Sequence, residues 1–475
     1  MTAVAAAMTF TACSSSDDTS GVINPTSPDP VVAQRVPVGF SAYADRGTTR
    51  SGVAGDQTLP ALKEAKGSTT TDGGGFGVFA YYPDLKKYDQ TYVPNFMYNQ
   101  GVFWNSTSEK WEYSPVMYWP NESGSSAQSD DEDKVSFFAY APYVFHTSAA
   151  SGSVNDATYG ITGFSRNSTA GDPIVKYIAS FDPSETVDLC WGVRNVLSWD
   201  KYQDGGTQTW TETGLPWLDV EHPKVVDQPM TFTFKHALAQ LNVQIDADVD
   251  VATHDVTHEI GTLPDGTTVE NSGTTYTKVY VRSVSFTGIA MKGALNLNNP
   301  VANTARWLDY SGTTDLPYGE SVTVKDGRRD GREGATGAEA SNELPQGLNP
   351  DIVQNNPVTS GVTHELKNLF AGAALTTPVY VIPTGEAMTV TIVYDVETTS
   401  PDLTTYLSDG TTHGSSIENR ISKTITWSSG TGLQSGKKYT LQLHLGMNSV
   451  KFNAEVGDWD PTAITGEAYL PDNED

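Results

Sequence analysis

Cys13 carries the most specific chemistry this chain offers. It closes the stretch Ala3-Val4-Ala5-Ala6-Ala7-Met8-Thr9-Phe10-Thr11-Ala12, and Ser14-Ser15-Ser16-Asp17-Asp18 follow at once. Small residues before a thiol at the end of a short apolar leader are what a lipoprotein signal peptidase requires. The leader is too short to span about 30 Å of hydrocarbon as a helix. Cys13 is therefore expected to be lipidated, with residues 1–13 as the export signal. Each buried methylene of the acyl chains would contribute roughly 0.8 kcal/mol, enough for an essentially permanent anchor. The second reactive feature is arginine in a small, polar setting, Asp45-Arg46-Gly47-Thr48-Thr49-Arg50-Ser51-Gly52. A loop of this composition after a strand-like run is easy for a protease to grip. The plain alternative is a pair of solvated loop cations.

Other clusters have weaker claims. His254 and His258 stand four apart, the spacing of a helical zinc pair, but the glutamate of the hydrolytic motif is missing and the surroundings read as strand or loop. Gly73-Gly74-Gly75-Phe76-Gly77 leads into a strand, not into a helix whose N-terminus would bind phosphate, so it reads as a turn. In Ser129-Asp130-Asp131-Glu132-Asp133 the carboxylates are consecutive, unlike a calcium loop, and Asp326-Gly327-Arg328-Arg329-Asp330-Gly331-Arg332 reads as an exposed basic tip. Trp104, Trp111 and Trp119 with Tyr98, Tyr113 and Tyr118 could stack on sugar rings, or could fill a sandwich core. Cys190 beside Trp191 reads as a buried strand thiol. No nucleophile elbow is present, so no enzymatic activity, no metal and no cofactor is expected.

Across the whole chain, 57 acidic against 29 basic side chains give a formal charge of −28 and leave no basic cluster for a row of phosphates. Nucleic acid is excluded as a partner. With Cys13 lipidated, Cys190 has no partner, so stability rests on packed cores rather than a disulfide framework. The glycine, proline and tyrosine content, with β-branched runs and little helical periodicity, predicts all-β sandwich domains. Residues 14–34 lack a hydrophobic period and form a tether. Strand-like runs at Val36 to Ala44, Phe76 to Tyr82, Tyr92 to Phe103, Trp111 to Trp119, Val135 to Tyr140 and Thr186 to Trp191 predict a first domain over 35–224. A second set, opening at Thr231-Phe232-Thr233-Phe234, predicts a second domain over 225–475. Its later runs include Val279 to Phe286, Met388 to Val396 and Tyr439 to Leu445, where Leu441, Leu443 and Leu445 alternate. The Gly-, Asn- and Asp-rich stretch 309–367 reads as a surface insertion.

The block Tyr113-Ser114-Pro115-Val116-Met117-Tyr118-Trp119-Pro120, followed by Val135-Ser136-Phe137-Phe138-Ala139-Tyr140-Ala141-Pro142, resembles the first domain of the fimbrillin family of Bacteroides-type pilus subunits. So does Val187-Asp188-Leu189-Cys190-Trp191 ahead of Phe232-Thr233-Phe234-Lys235-His236-Ala237-Leu238-Ala239-Gln240-Leu241. Tyr380-Val381-Ile382-Pro383, Gly436-Lys437-Lys438-Tyr439-Thr440-Leu441 and Val456-Gly457-Asp458-Trp459 resemble its second domain. The acidic run after Cys13 is similar to the surface-export signal of the same lipoproteins. The resemblance implies two tandem transthyretin-like Greek-key sandwiches, anchored by lipid in the outer membrane at the cell surface, cut by an arginine-specific protease and polymerised with other pilin subunits by donor-strand exchange. Arg50 matches the cleavage position best and Arg46 second. The displaced first strand would carry Val36, Val38, Phe40 and Ala42 on one face. Ile464, Ala468 and Leu470 share a face of the tail and are the candidate donor strand, interrupted by Gly466; the tail could equally complete the second sandwich. The resemblance leaves stalk, anchor or tip position and any host or glycan ligand open. The alternative function is a surface glycan-binding lipoprotein of the same sandwich class.

Overall fold

A computed structural model describes residues 36–44, 59–64, 74–83, 86–120, 133–154, 158–185, 187–200, 207–221, 229–247, 254–314, 316, 322–325, 366–370, 373–399, 405–406, 412–413, 416–426, 432–446 and 450–458. Pro37–Asp475 form one compact unit. Among the described residues the regular secondary structure is strand throughout, apart from one short helix at Leu59–Lys63. The all-β expectation holds.

Among the described residues, four of the five sheets make up two sandwiches. The first sheet runs Phe40–Ala44, Met230–His236, Cys190–Asp200, Lys134–Ala141, Phe76–Tyr81, Met97–Asn105, Lys110–Glu112; Thr207–Glu212 and Trp217–Glu221 pair beside this path. The second runs Arg306–Leu308, Lys292–Asn296, Ile174–Ile178, Gly160–Phe164, Ser153–Val154, His146–Ser148. Between them lies one core: Phe79, Tyr81, Phe138, Tyr140, Trp191 and Val193 from the first sheet meet Ile161, Phe164, Val175, Tyr177, Leu295 and Trp307 from the second. The other sandwich joins a sheet built on Ala239–Ala247, Val379–Pro383, Lys437–Leu445 and Val450–Asp458 to one built on Thr268–Thr287, Thr389–Thr399 and Ser416–Thr426. Its core includes Leu241, Val243, Ile245, Phe286, Ile392, Leu441 and Leu443.

Burial patterns explain which strands were legible. Lys437–Leu445 has one wet face, so Tyr439, Leu441, Leu443 and Leu445 are buried in alternation. Phe76–Tyr81 is buried at every position, because the first sheet is covered on both faces, and its sequence shows an apolar run without alternation. The second face holds an aromatic cluster of Phe40, Phe76, Phe137, Phe232, Phe234 and Trp111.

Three expectations need correction. The strand at Met230–His236, expected to open the second set, lies in the first sheet between Phe40–Ala44 and Cys190–Asp200. Alternating Phe232 and Phe234 mark a sheet strand but carry no information on which sheet receives it. The run Trp111 to Trp119 is a strand only over Lys110–Glu112; Pro115 and Pro120 offer no N–H to a ladder, and Tyr118 makes a single bridge to Pro37. Part of the 309–367 stretch, Val322–Lys325, is a strand paired with Ser283–Phe286 rather than a surface excursion.

Candidate functional site: the groove of the first strand

Phe40–Ala44 pairs along its full length, in parallel, with Met230–Phe234. Parallel neighbours cannot be joined by a tight turn, so every contact of this strand is long-range in the chain. It occupies the edge of the first sheet, and nothing else in the sheet depends on it for connection. Alternation works as the sequence predicts: Val38, Phe40 and Ala42 are buried, and so is Val36.

Phe40 sits at the centre of the groove. Its ring lies 5.4 Å from Tyr113, 5.9 Å from Phe137, 6.3 Å from Phe232 and 6.4 Å from Phe76, centroid to centroid. A fully buried phenylalanine contributes roughly 1.5–3 kcal/mol through area alone, and favourable ring pairs add to it. The leading end is clasped by the loop before Trp119. Val38 N donates to Met117 O at 2.9 Å, and Tyr113 Oη donates to Val38 O at 2.8 Å. Met230 N donates to Gly39 O at 2.8 Å, which carries the pairing one residue beyond the strand. Burial pushes the Tyr113 phenol up to about 12, so it stays a donor at any physiological pH.

The clasp was not expected from sequence. Tyr113 and Met117 fall in a run that reads as strand because the aromatic and β-branched side chains around them are usual strand vocabulary. Pro115 between them was the available signal that the ladder ends there. Of the two readings of the aromatic side chains, core and sugar platform, the structure bears out the core: Trp111 and Trp119 are buried, with Trp119 ring-to-ring against Phe137, and Trp104 packs edge-on to Trp111 beneath Lys63. Of the six aromatic side chains considered, only Tyr118 is largely exposed. Sugar stacking needs exposed coplanar rings, which this arrangement does not present.

His254 and His258 both lie in the strand His254–Thr262, the first of the two settings, strand or loop, that the sequence leaves open. Cys190 is buried and makes no disulfide. Cys13, Arg46, Arg50, Ile464, Ala468 and Leu470 lie outside the described residues.

No family profile matches the chain. Over 83 residues the chain is 37% identical to the fimbrium subunit Fim1C of Phocaeicola vulgatus. This chain resembles a fimbrial subunit. The match takes in 17% of this chain and 19% of that relative, so the chain spans about a fifth of the length of the curated relative it matches. Among solved structures, a candidate cell adhesion protein of Bacteroides uniformis aligns over 90% of this chain and 99% of its own, at 14% identity and a TM-score of 0.31. The tip fimbrial protein Mfa3 of Porphyromonas gingivalis, with a C-terminal truncation, aligns over 82% and 97%, at 9% identity and a TM-score of 0.22. At such scores the structural likenesses carry no argument.

Proposed function

We propose that this chain is a structural or adhesive subunit of cell-surface fimbriae, assembled by exchange of its first strand. The observation that carries the reading is the placement of Phe40–Ala44: an edge strand, paired in parallel over its whole length, with its apolar side chains seated in an aromatic groove. Removing it leaves the strand Met230–His236 with an unpaired edge beside pockets for alternate apolar side chains. Main-chain hydrogen bonds supply affinity in such a groove and the alternate pockets supply register. Until removal, the chain's own strand blocks an edge that would otherwise aggregate.

In the full proposal the subunit is exported as a lipoprotein on Cys13 and reaches the outer membrane surface. An arginine-specific protease cuts after Arg50 or Arg46, and a strand from another pilin subunit fills the groove, the tail bearing Ile464, Ala468 and Leu470 being the candidate donor. No catalytic role belongs to this scheme. The 83-residue likeness to a fimbrium subunit supports the fimbrial role.

The test is brief treatment of the full chain, carrying Cys13→Ser, with an arginine-specific protease, followed by intact mass, N-terminal sequencing and size distribution. A cut after Arg50 or Arg46, loss of the segment containing Phe40–Ala44 and growth into oligomers is the expected result. A cut chain that keeps its first strand and stays monomeric would overturn strand exchange.

A further inference from the structure

Asp188, Cys190 and His236 bring a carboxylate, a thiol and an imidazole to one point. Cys190 and His236 are direct partners across the antiparallel pair of Cys190–Asp200 with Met230–His236. Asp188 is two residues before Cys190, and in extended chain positions two apart share a face. Cys190 Sγ lies 3.6 Å from His236 Nδ1 and 3.5 Å from Asp188 Oδ2, and His236 Nδ1 lies 2.7 Å from Asp188 Oδ2. The Asp188 side chain is fully buried and that of His236 is 12% exposed.

The trio is not wired as a nucleophile. A cysteine activated by an imidazole needs the carboxylate on the other ring nitrogen, whereas here thiol and carboxylate both meet Nδ1. Convergence of three different donors on one side of one ring suits a cation instead. Tetrahedral zinc with bonds of about 2.3 Å to sulfur and about 2.0–2.2 Å to nitrogen and oxygen sets ligand-to-ligand edges of roughly 3.6 Å to sulfur and roughly 3.4 Å between nitrogen and oxygen. Both sulfur edges already have that length; the hydrogen-bonded edge from nitrogen to oxygen must open by several tenths of an ångström. Calcium and magnesium, which take oxygen ligands, do not fit a thiol and an imidazole.

We propose that Asp188, Cys190 and His236 form a binding site for a zinc-class divalent cation, with a fourth position reached from the partly exposed side of His236. Binding replaces the Nδ1 to Oδ2 hydrogen bond with two metal bonds, leaves the imidazole proton on Nε2 and releases the thiol proton to solvent, so affinity rises with pH. The site pins the end of Met230–His236, the strand that receives Phe40–Ala44, to the start of Cys190–Asp200. It also lies where the chain leaves the first sheet: Ala237 N donates to Leu189 O at 2.8 Å, and Ala239–Ala247 begins the other sandwich. A cation bound here locks the groove wall while leaving the groove open.

The test uses the full chain with Cys13→Ser, so that Cys190 is the sole thiol, reduced, stripped with chelator and titrated anaerobically with Co²⁺. Expected are one equivalent bound, a near-ultraviolet thiolate-to-cobalt charge-transfer band, intense visible bands of a tetrahedral ion, displacement by Zn²⁺, and a melting temperature that climbs with Zn²⁺ concentration. Cys190→Ser should remove the charge-transfer band, and His236→Gln should weaken binding by at least the roughly 10–100-fold that loss of an outer partner produces. Absence of the band in the folded parent chain under excess Co²⁺ overturns the site without recourse to any variant. A band that survives Cys190→Ser overturns it equally, and the three groups are then a buried hydrogen-bonded trio only.

Discussion

Tyr113 shows how one hydroxyl can couple a loop to a strand. Its Oη is the donor to Val38 O, and Met117 N donates back to it at 3.2 Å, so the phenol is the knot of the clasp. Burial raises its folded-state pKa to about 12, and the phenols of Tyr98 and Tyr394 are pushed up to about 12 by the same cause. An unfolded tyrosine ionises near about 10. Between those values the unfolded chain has given up protons that the folded chain keeps, so unfolding becomes easier as pH rises. Stability from these groups is complete below about pH 10 and is lost as the pH climbs through about 12. Tyr113→Phe should therefore show a smaller loss of urea midpoint between about pH 9 and 11 than the parent chain. At neutral pH the same variant should lose about 0.5–1.5 kcal/mol with the hydrogen bond to Val38. An unchanged alkaline slope would mean that the buried phenol of Tyr113 is not what holds the leading end.

At the scale of an element, the first strand is five residues long and is held by one neighbour along its length and by the Phe40 ring at its leading end. Phe40→Ala removes the ring that touches Tyr113, Phe137, Phe232 and Phe76, and large-to-small changes of this kind cost about 3–5 kcal/mol in a packed core. Because the strand lies at an edge, that loss should fall on local release before global unfolding. Hydrogen exchange at residues 40–44 should accelerate strongly in Phe40→Ala while exchange in the core strands Ala239–Ala247 and Thr389–Thr399 changes little. Uniform acceleration across the chain would show that the strand is integral to the fold rather than detachable. Aggregation of Phe40→Ala through the freed edge of Met230–His236 would be a further sign of the same detachment.

At the scale of the whole molecule, the two sandwiches do not divide at the expected boundary of 224. The first sheet takes Met230–His236 and the second takes Lys292–Asn296 and Arg306–Leu308, all from beyond it. Tyr380 and Ile382 also lie in the core with Phe79 and Trp191. Polar side chains make the same connection: the Asp172 carboxylate accepts from Tyr88, Gln90, Asn296 and Asn298 at 2.9–3.0 Å. A fragment of residues 37–224 lacks the strand on which both Phe40–Ala44 and Cys190–Asp200 pair, and leaves the Asp172 carboxylate without half its donors. It should show no near-ultraviolet circular dichroism and a collapsed amide spectrum, whereas residues 37–309 should recover part of both. A cooperative melt from 37–224 alone would overturn the shared construction.

Composition and patterning by themselves determined the all-β class, the buried face of Val38, Phe40 and Ala42, and the strand that holds Leu441, Leu443 and Leu445. These are local properties: side-chain period and the depletion of helix formers act within a few residues. The tertiary structure alone decided that Met230–His236 returns to the first sheet, that Tyr113 and Met117 clasp the leading end of the first strand, and that Asp188, Cys190 and His236 converge. Each depends on pairing between segments tens to hundreds of residues apart. Alternation fixes which face of a strand is apolar, yet it is blind to which neighbour supplies the hydrogen bonds that complete the sheet.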